Sequence, residues 1–187
     1  MLNQLEEWDK ALFRLINGFN SPTADLIMTW VSNKFLWIPL YILLLYWLFK
    51  YKKKYGWMAL SLGLLILLSD QTASGLLKPL IGRLRPCHDP DLIGNINIPD
   101  GCGGRYGFAS SHASNMFAVA FFCWLCLKDR LKHIWLLLPW AGLIAYSRVY
   151  LGVHFPGDVI MGALIGFMAA YISFKLFNFA SSKHLKG

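Results

Sequence analysis

Three cations, two histidines, two serines and an aspartate recur at short spacings in the later part of this sequence, and together they suit the handling of an oxyanion. Lys78 and Arg85 stand seven residues apart, which on a continuous helix puts them nearly on one face, about two turns along; Pro79 and Gly82 intervene. Arg148 closes an apolar run. Taken singly, each cation has a bland explanation, a long side chain reaching for lipid headgroups. Taken with the histidines, they do not.

Ala109-Ser110-Ser111-His112 opens another apolar run. A helix start leaves unpaired backbone N–H groups at its positive dipole end, a ready phosphate site. Ser110 can cap that helix, or its hydroxyl can hold an anion's oxygen, with Ser111 adding its backbone N–H. The segment Arg148-Val-Tyr-Leu-Gly-Val-His154-Phe-Pro-Gly-Asp158 is the most informative. Phe155 precedes proline and is biased towards extended backbone, and Pro156 suits the first position of a helix. His154 therefore belongs in a short turn, with Asp158 in the first turn of the helix that follows. There Asp158 either favours the helix dipole or accepts a hydrogen bond from one imidazole nitrogen, freeing the other as nucleophile.

The elements that must position these groups are apolar. Of 187 residues, 56% are hydrophobic, with 13 Phe and 8 Trp, and they fall in runs near the roughly 20 residues that cross a bilayer. The expected fold class is all-α, a polytopic membrane helix bundle with about five spans: within 24–49, 56–77, 110–127, 133–150 and 156–179. Asn33-Lys34 can divide the first of these into a surface helix and a short crossing. Residues 2–20 carry Leu5, Trp8, Leu12, Leu15 and Phe19 at helical spacing opposite charged residues, an interfacial amphipathic helix. The chain thus divides into an interfacial helix over 1–23 and a bundle over 24–187. The start is acidic where a cleavable signal would be basic.

The formal charge of +8 does not point to nucleic acid, because Lys and Arg sit between the apolar runs, where topology signals belong. Lys50-Tyr-Lys-Lys-Lys54, Lys128-Asp-Arg-Leu-Lys132 and the tail Lys183-His-Leu-Lys186 read as cytoplasmic anchors. Five crossings then gather Lys78, Arg85, Ser110, His112, Arg148, His154 and Asp158 at the outer face.

These residues resemble the motifs of the type 2 phosphatidic acid phosphatase superfamily, whose site is related to that of the vanadium haloperoxidases. Its patterns, Lys-x6-Arg-Pro, Pro-Ser-Gly-His and Ser-Arg-x5-His-x3-Asp, are matched by Lys78 through Arg85-Pro86, Ala109 through His112, and Ser147-Arg148 through His154 to Asp158. Ala109 and Ser111 replace the family's proline and glycine. The resemblance implies a metal-independent lipid phosphatase, with His154 attacking phosphorus, Asp158 orienting it, and His112 protonating the leaving oxygen. Lys78, Arg85, Ser110, Ser111 and Arg148 would bind the phosphoryl oxygens. No cofactor or metal is expected, since no cluster has metal-ligand spacing. The implied partners are the lipid phosphate substrate and membrane lipids, with no obligate protein partner.

The resemblance further suggests the bacterial inner membrane, with the site on its extracytoplasmic face, and an isoprenyl (undecaprenyl) diphosphate as first substrate. Phosphatidylglycerophosphate, phosphatidate and a lipid A phosphate are the alternatives. A soluble phosphate ester, or a non-enzymatic bundle that binds anionic lipid, competes with all of these.

Among the remaining groups, Asp70 and Gln71 read as helix–helix hydrogen-bonding residues. Arg83, two positions from Arg85, reads as pointing away, either to headgroups or as a group behind the phosphate-binding residues, and Arg105 as an outer-loop residue with substrate contact as the alternative. Cys87 and Cys102 bracket the loop between the first two motifs and are expected to form a disulfide. Cys123 and Cys126 are expected to pack. His88, His133 and His184 lie outside any motif and read as solvated or interfacial.

Overall fold

The computed structural model describes residues 2–183; the tail from His184 onward lies outside the described residues. Helices dominate: α1 (Leu2–Gly18), α2 (Pro22–Ser32), α3 (Ile38–Tyr51), α4 (Tyr55–Asp70), α5 (Lys78–Ile81), α6 (Ser111–Leu127), α7 (Leu137–Tyr150) and α8 (Pro156–Lys183). A π-helical turn, Gln71–Leu77, joins α4 to α5. The one bridge between extended segments among the described residues pairs Leu84 with Tyr106. The chain divides between α2 and α3 where Asn33 caps α2.

The central packing is α6 against α8. Gly162 and Gly166 permit it: a Cβ at 162 would stand 3.0 Å from Cβ of Ala113, and one at 166 would stand 2.8 Å from the backbone nitrogen of Ala118. Small residues four apart let helix backbones approach closely in lipid. Around this pair, Leu44, Leu48, Met58, Leu65, Phe122 and Leu137 form the main core, which also takes in Cys123 and Cys126 as expected.

Length separates the helices. Tyr55–Ile81 and Pro156–Ser182 are long and apolar enough to cross a bilayer, whereas Ile38–Tyr51 and Ser111–Leu127 are shorter. At 1.5 Å per residue, the 14 residues of α3 reach only about 21 Å against a hydrocarbon core of roughly 30 Å. Length thus supports two crossings of the five expected.

The first helix has two apolar faces with different fates. Leu5, Trp8, Leu12, Leu15 and Phe19 are exposed, the stripe an interfacial helix would give to lipid. Phe13 is fully buried and meets Phe155 edge to face at 5.4 Å. Asn17 donates to the carbonyls of Asn97 (2.8 Å) and Tyr150 (2.6 Å). Thus α1 is fastened to the loop that precedes α8 and to the end of α7.

Candidate active site

Every residue singled out for chemistry comes to one end of the bundle. The first motif does not run on a continuous helix. At Gly82 the backbone turns left-handed (φ 62°) and ends α5, a conformation that glycine adopts without steric cost. The chain then runs extended beside the residues leading into α6: Arg85 N–H donates to Arg105 C=O at 3.1 Å, and Gly107 N–H to Arg83 C=O at 2.9 Å. This pairing aligns the first motif with the second. The expectation of Lys78 and Arg85 on one helical face is corrected accordingly. Lys78 stands at the start of the last helical turn, and Arg85 reaches the site from the extended segment.

At the second motif, Ser110 caps α6, its Oγ accepting from Ala113 N–H at 3.4 Å. Its own N–H donates to the carbonyl of Asp158 at 2.9 Å, tying α6 to α8. Ser110 is fully buried. Lys78 Nζ donates to Ser111 Oγ at 2.7 Å, and Ser74 of the π-helical turn shares a 2.6 Å hydrogen bond with the same hydroxyl. Ser111 therefore meets Lys78 through its side chain, where the sequence offered only its N–H. His112, half-buried, feels the charges of Arg148, Arg85 and Lys78 and the neighbouring His154.

The third motif supplies the most constrained group. After α7 the chain turns at Gly152 (φ 75°), and the N–H groups of Val153 and His154 both return to the carbonyl of Arg148 at 3.2 Å. Pro156 begins α8, and Asp158 stands in its first turn. Its Oδ2 accepts the Phe155 N–H at 3.0 Å and lies 3.4 Å from Nδ1 of His154. On the other side of the imidazole, Nη1 of Arg85 lies 3.1 Å from Nε2 and 3.0 Å from the Val153 carbonyl.

A guanidinium can only donate. Nε2 therefore carries the lone pair and Nδ1 the proton, which faces a carboxylate. Burial, at 2% exposure, pushes the His154 pKa down to about 4 against the opposing pull of the Asp158 hydrogen bond. Above that pH the ring is neutral, with Nε2 available as a nucleophile.

Arg148 donates to Ser32 Oγ of α2. The Nε atoms of Arg148 and of Arg85 are buried without a hydrogen-bond partner. A buried N–H left unpaired costs about 1–3 kcal/mol, so two such donors at one end of a bundle call for an anion.

Of the two readings of Arg83, the headgroup contact is corrected and the group behind the site is the one the geometry favours. The side chain does not turn to the headgroups: Nη1 lies 3.0 Å from Oδ1 of Asp158 and Nη2 lies 2.7 Å from Oδ2 of Asp9. The helical reading failed because the helix stops at Gly82, and a left-handed glycine directly before Arg83 was the available signal. Nothing in the sequence pairs Asp9 with it.

Asp70 accepts from Asn115 Nδ2 at 3.3 Å, the helix–helix contact expected of it. Arg105 is exposed and approaches the ring of Tyr106. Cys87 and Cys102 form a disulfide. His88 joins these sulfurs in a group of metal-ligand type that the sequence spacing did not reveal, but the disulfide occupies both thiols.

The description "PAP2 superfamily" matches residues 54–182. The chain is similar to the lipid A 4'-phosphatases of Bacteroides thetaiotaomicron (36% identical, 89% of this chain and 75% of that one) and Porphyromonas gingivalis (33%, 96% and 77%). It is also similar to an undecaprenyl-diphosphatase of Sulfolobus acidocaldarius (31%, 88% and 76%). Among solved structures, Aquifex aeolicus LpxE superposes with a TM-score of 0.68 at 31% identity, covering 88% of this chain and 93% of that one.

Proposed function

The chain belongs to the PAP2 superfamily of membrane lipid phosphatases, and we propose that it hydrolyses a phosphate monoester of a lipid A-type glycolipid through a phosphohistidine. The observation that carries the chemistry is the His154 ring held between Arg85 at Nε2 and Asp158 at Nδ1. What favours the substrate is similarity to two lipid A 4'-phosphatases over most of their length. Undecaprenyl diphosphate, the first expectation from sequence, becomes the second reading. A relative of lower identity bears that activity in its name.

In the first step Arg85 passes its N–H from Nε2 to a phosphoryl oxygen, and Nε2 attacks phosphorus. A P–N bond forms while the P–O bond to the lipid breaks, and His112 gives its proton to the departing oxygen. Asp158 holds the Nδ1 proton and stabilises the charge that the ring acquires. In the second step His112 takes a proton from water as the water oxygen attacks phosphorus. The P–N bond then breaks, releasing inorganic phosphate and the neutral His154.

Lys78, Arg85 and Arg148, with Ser110, Ser111 and the start of α6, hold the phosphoryl oxygens. Each cation near 4 Å from a charged oxygen contributes on the order of 4 kcal/mol at an effective dielectric near 20, before desolvation. Fixed donors of this kind stabilise transition-state charge without needing to reorganise, so turnover in EDTA is the expectation.

The basic stretch 50–54 runs from the end of α3 to the start of α4, and 128–132 follows α6, so both stand at the helix ends opposite Lys78 and Ser111. By the positive-inside rule they face the cytoplasm, which makes the site extracytoplasmic. Phosphate release from lipid A, undecaprenyl diphosphate, phosphatidylglycerophosphate and phosphatidate in detergent tests the reading, with His154→Ala as the blank. Fastest release from lipid A supports it, and fastest release from undecaprenyl diphosphate replaces it with the second reading.

A further inference from the structure

Behind the proposed nucleophile, on the side away from Arg85, Asp158 continues into two charges, Arg83 and Asp9, that are not among the named positions of the three motifs. Arg83 lies between two carboxylates: Nη1 is 3.0 Å from Oδ1 of Asp158 and Nη2 is 2.7 Å from Oδ2 of Asp9. Its guanidinium also covers the ring of Phe155 at 4.2 Å from the centroid, between His154 and Pro156 in the chain. Asp9 is held in turn, its Oδ1 accepting the Gly157 N–H at 2.7 Å. The fit there is close, since a Cβ on Gly157 would stand 2.8 Å from Asp9 Oδ2. The order in space is Asp9, Arg83, Asp158, His154, running from the interfacial helix α1 to the imidazole.

A guanidinium shared between two carboxylates is divided between them: what binds it on one side weakens its hold on the other. We propose that Asp9 and Arg83 are positioning residues for phosphoryl transfer, Asp9 drawing Arg83 partly off Asp158 so that Asp158 orients and polarises the His154 ring more strongly. This rests on the reading of His154 as nucleophile. It gives α1 a part in the chemistry beyond its exposed stripe. The docking of α1 does not depend on Asp9 alone, because Phe13 is buried against Phe155, Asn17 is bonded to Asn97 and Tyr150, and Lys10 pairs with Asp89 at 2.9 Å.

The two single substitutions act in opposite directions. In Asp9→Asn, Arg83 is left wholly to Asp158, which then accepts less strongly from Nδ1, and the imidazole becomes less basic. In Arg83→Gln, Asp158 loses its cation, and the imidazole becomes more basic. Lys78, Arg85, His112 and Arg148 also act on this pair, but they are the same in both variants, and Asp9 is the acid that α1 presents there. A purely structural role would lower activity in both variants without moving their pH profiles apart.

The experiment measures kcat and KM against pH for the full chain in mixed micelles, using the fastest lipid of the panel above. For Asp9→Asn the expected result is a kcat lower by about tenfold, with KM within about twofold, and an acid limb moved to lower pH. For Arg83→Gln the acid limb moves to higher pH. The separation between the two is about one pH unit or more, the equivalent of a tenfold change in protonation.

Arg83→Lys keeps the charge but not the two-sided fork, and its acid limb falls between those of wild type and Arg83→Gln. If Arg83→Gln does not fold, the direction of the Asp9→Asn shift decides alone. Unmoved acid limbs, or limbs moving together, overturn the proposal. Full activity in His154→Ala would instead overturn the nucleophile on which it rests.

Discussion

Nη1 of Arg85 lies 3.1 Å from Nε2 of His154, so the cation proposed to bind phosphate sits on the very atom proposed to attack. The guanidinium must exchange that nitrogen for a phosphoryl oxygen when the substrate enters. Arg85→Ala removes a donor that follows the charge of the transition state, and such donors account for about 10²–10³ in rate. We predict a loss of that size in kcat/KM, with weaker inhibition by inorganic phosphate. An equal loss for a neutral lipid-binding assay would point to damaged folding instead.

As the proposed nucleophile, the buried His154 should set the acid side of the pH profile. Its pKa lies at about 4, below the ordinary 6.5, because burial disfavours the charged ring. The nucleophilic neutral form is therefore present above that value and is lost as pH falls through it. The free-enzyme profile of kcat/KM should hold down to about pH 4 before declining on account of this group. The linked stability has the same sign. The unfolded chain takes up the proton first, so the contribution of a neutral His154 is complete above about 6.5 and is lost as pH falls towards about 4. Activity that collapses between pH 7 and 6, and a collapse that His112 variants do not move, would mean a solvated His154.

Gly107 is fixed by what surrounds it. A Cβ there would stand 2.8 Å from Oδ2 of Asp158 and 3.3 Å from Cγ of Arg85, and that oxygen is already held by the Phe155 N–H. Gly107→Ala should displace Asp158, lower kcat by about 10²-fold through misplacement alone, and destabilise by about 1–3 kcal/mol. Parallel activity and thermal melting measurements check both figures.

The disulfide Cys87–Cys102 closes the loop between the paired residues 83–85 and 105–107, across a separation of 15 residues. Loop-closure entropy assigns such a cross-link about 3 kcal/mol. The double variant Cys87→Ser/Cys102→Ser should melt at a clearly lower temperature yet keep substantial turnover in the cold, because neither sulfur touches the phosphoryl-binding groups.

Much of the candidate site's geometry is legible in the sequence because its groups sit at helix ends, where local rules are strongest. Pro156 marked the start of α8 and so placed Asp158 next to His154, and Ser110 marked the start of α6. What local rules could not supply was pairing between distant segments. Arg83 and Arg85 were judged on a helix that ends before both of them, at the left-handed Gly82. Their directions are set by hydrogen bonds to 105–107, which no spacing records. The partners Asp9 and Ser32 belong to α1 and α2: Asp9 reads as part of the charged face of the amphipathic helix, and Ser32 lies in an apolar run with no motif to mark it. Apolar runs gave the helices, but α3 is shorter than its run because Pro39 stands in its first turn after the break at Asn33.

The covalent intermediate is the central claim, and rapid acid-free quenching of the enzyme with a radiolabelled lipid phosphate from the panel tests it most directly. The account predicts label on the protein that is stable to alkali, labile to acid, mapped to His154 and absent in His154→Ala. It further predicts that the label accumulates in His112→Ala when the lipid carries a good leaving group, since water activation is then the impaired step. Turnover with no labelled protein at any time, or label and activity retained in His154→Ala, would contradict it.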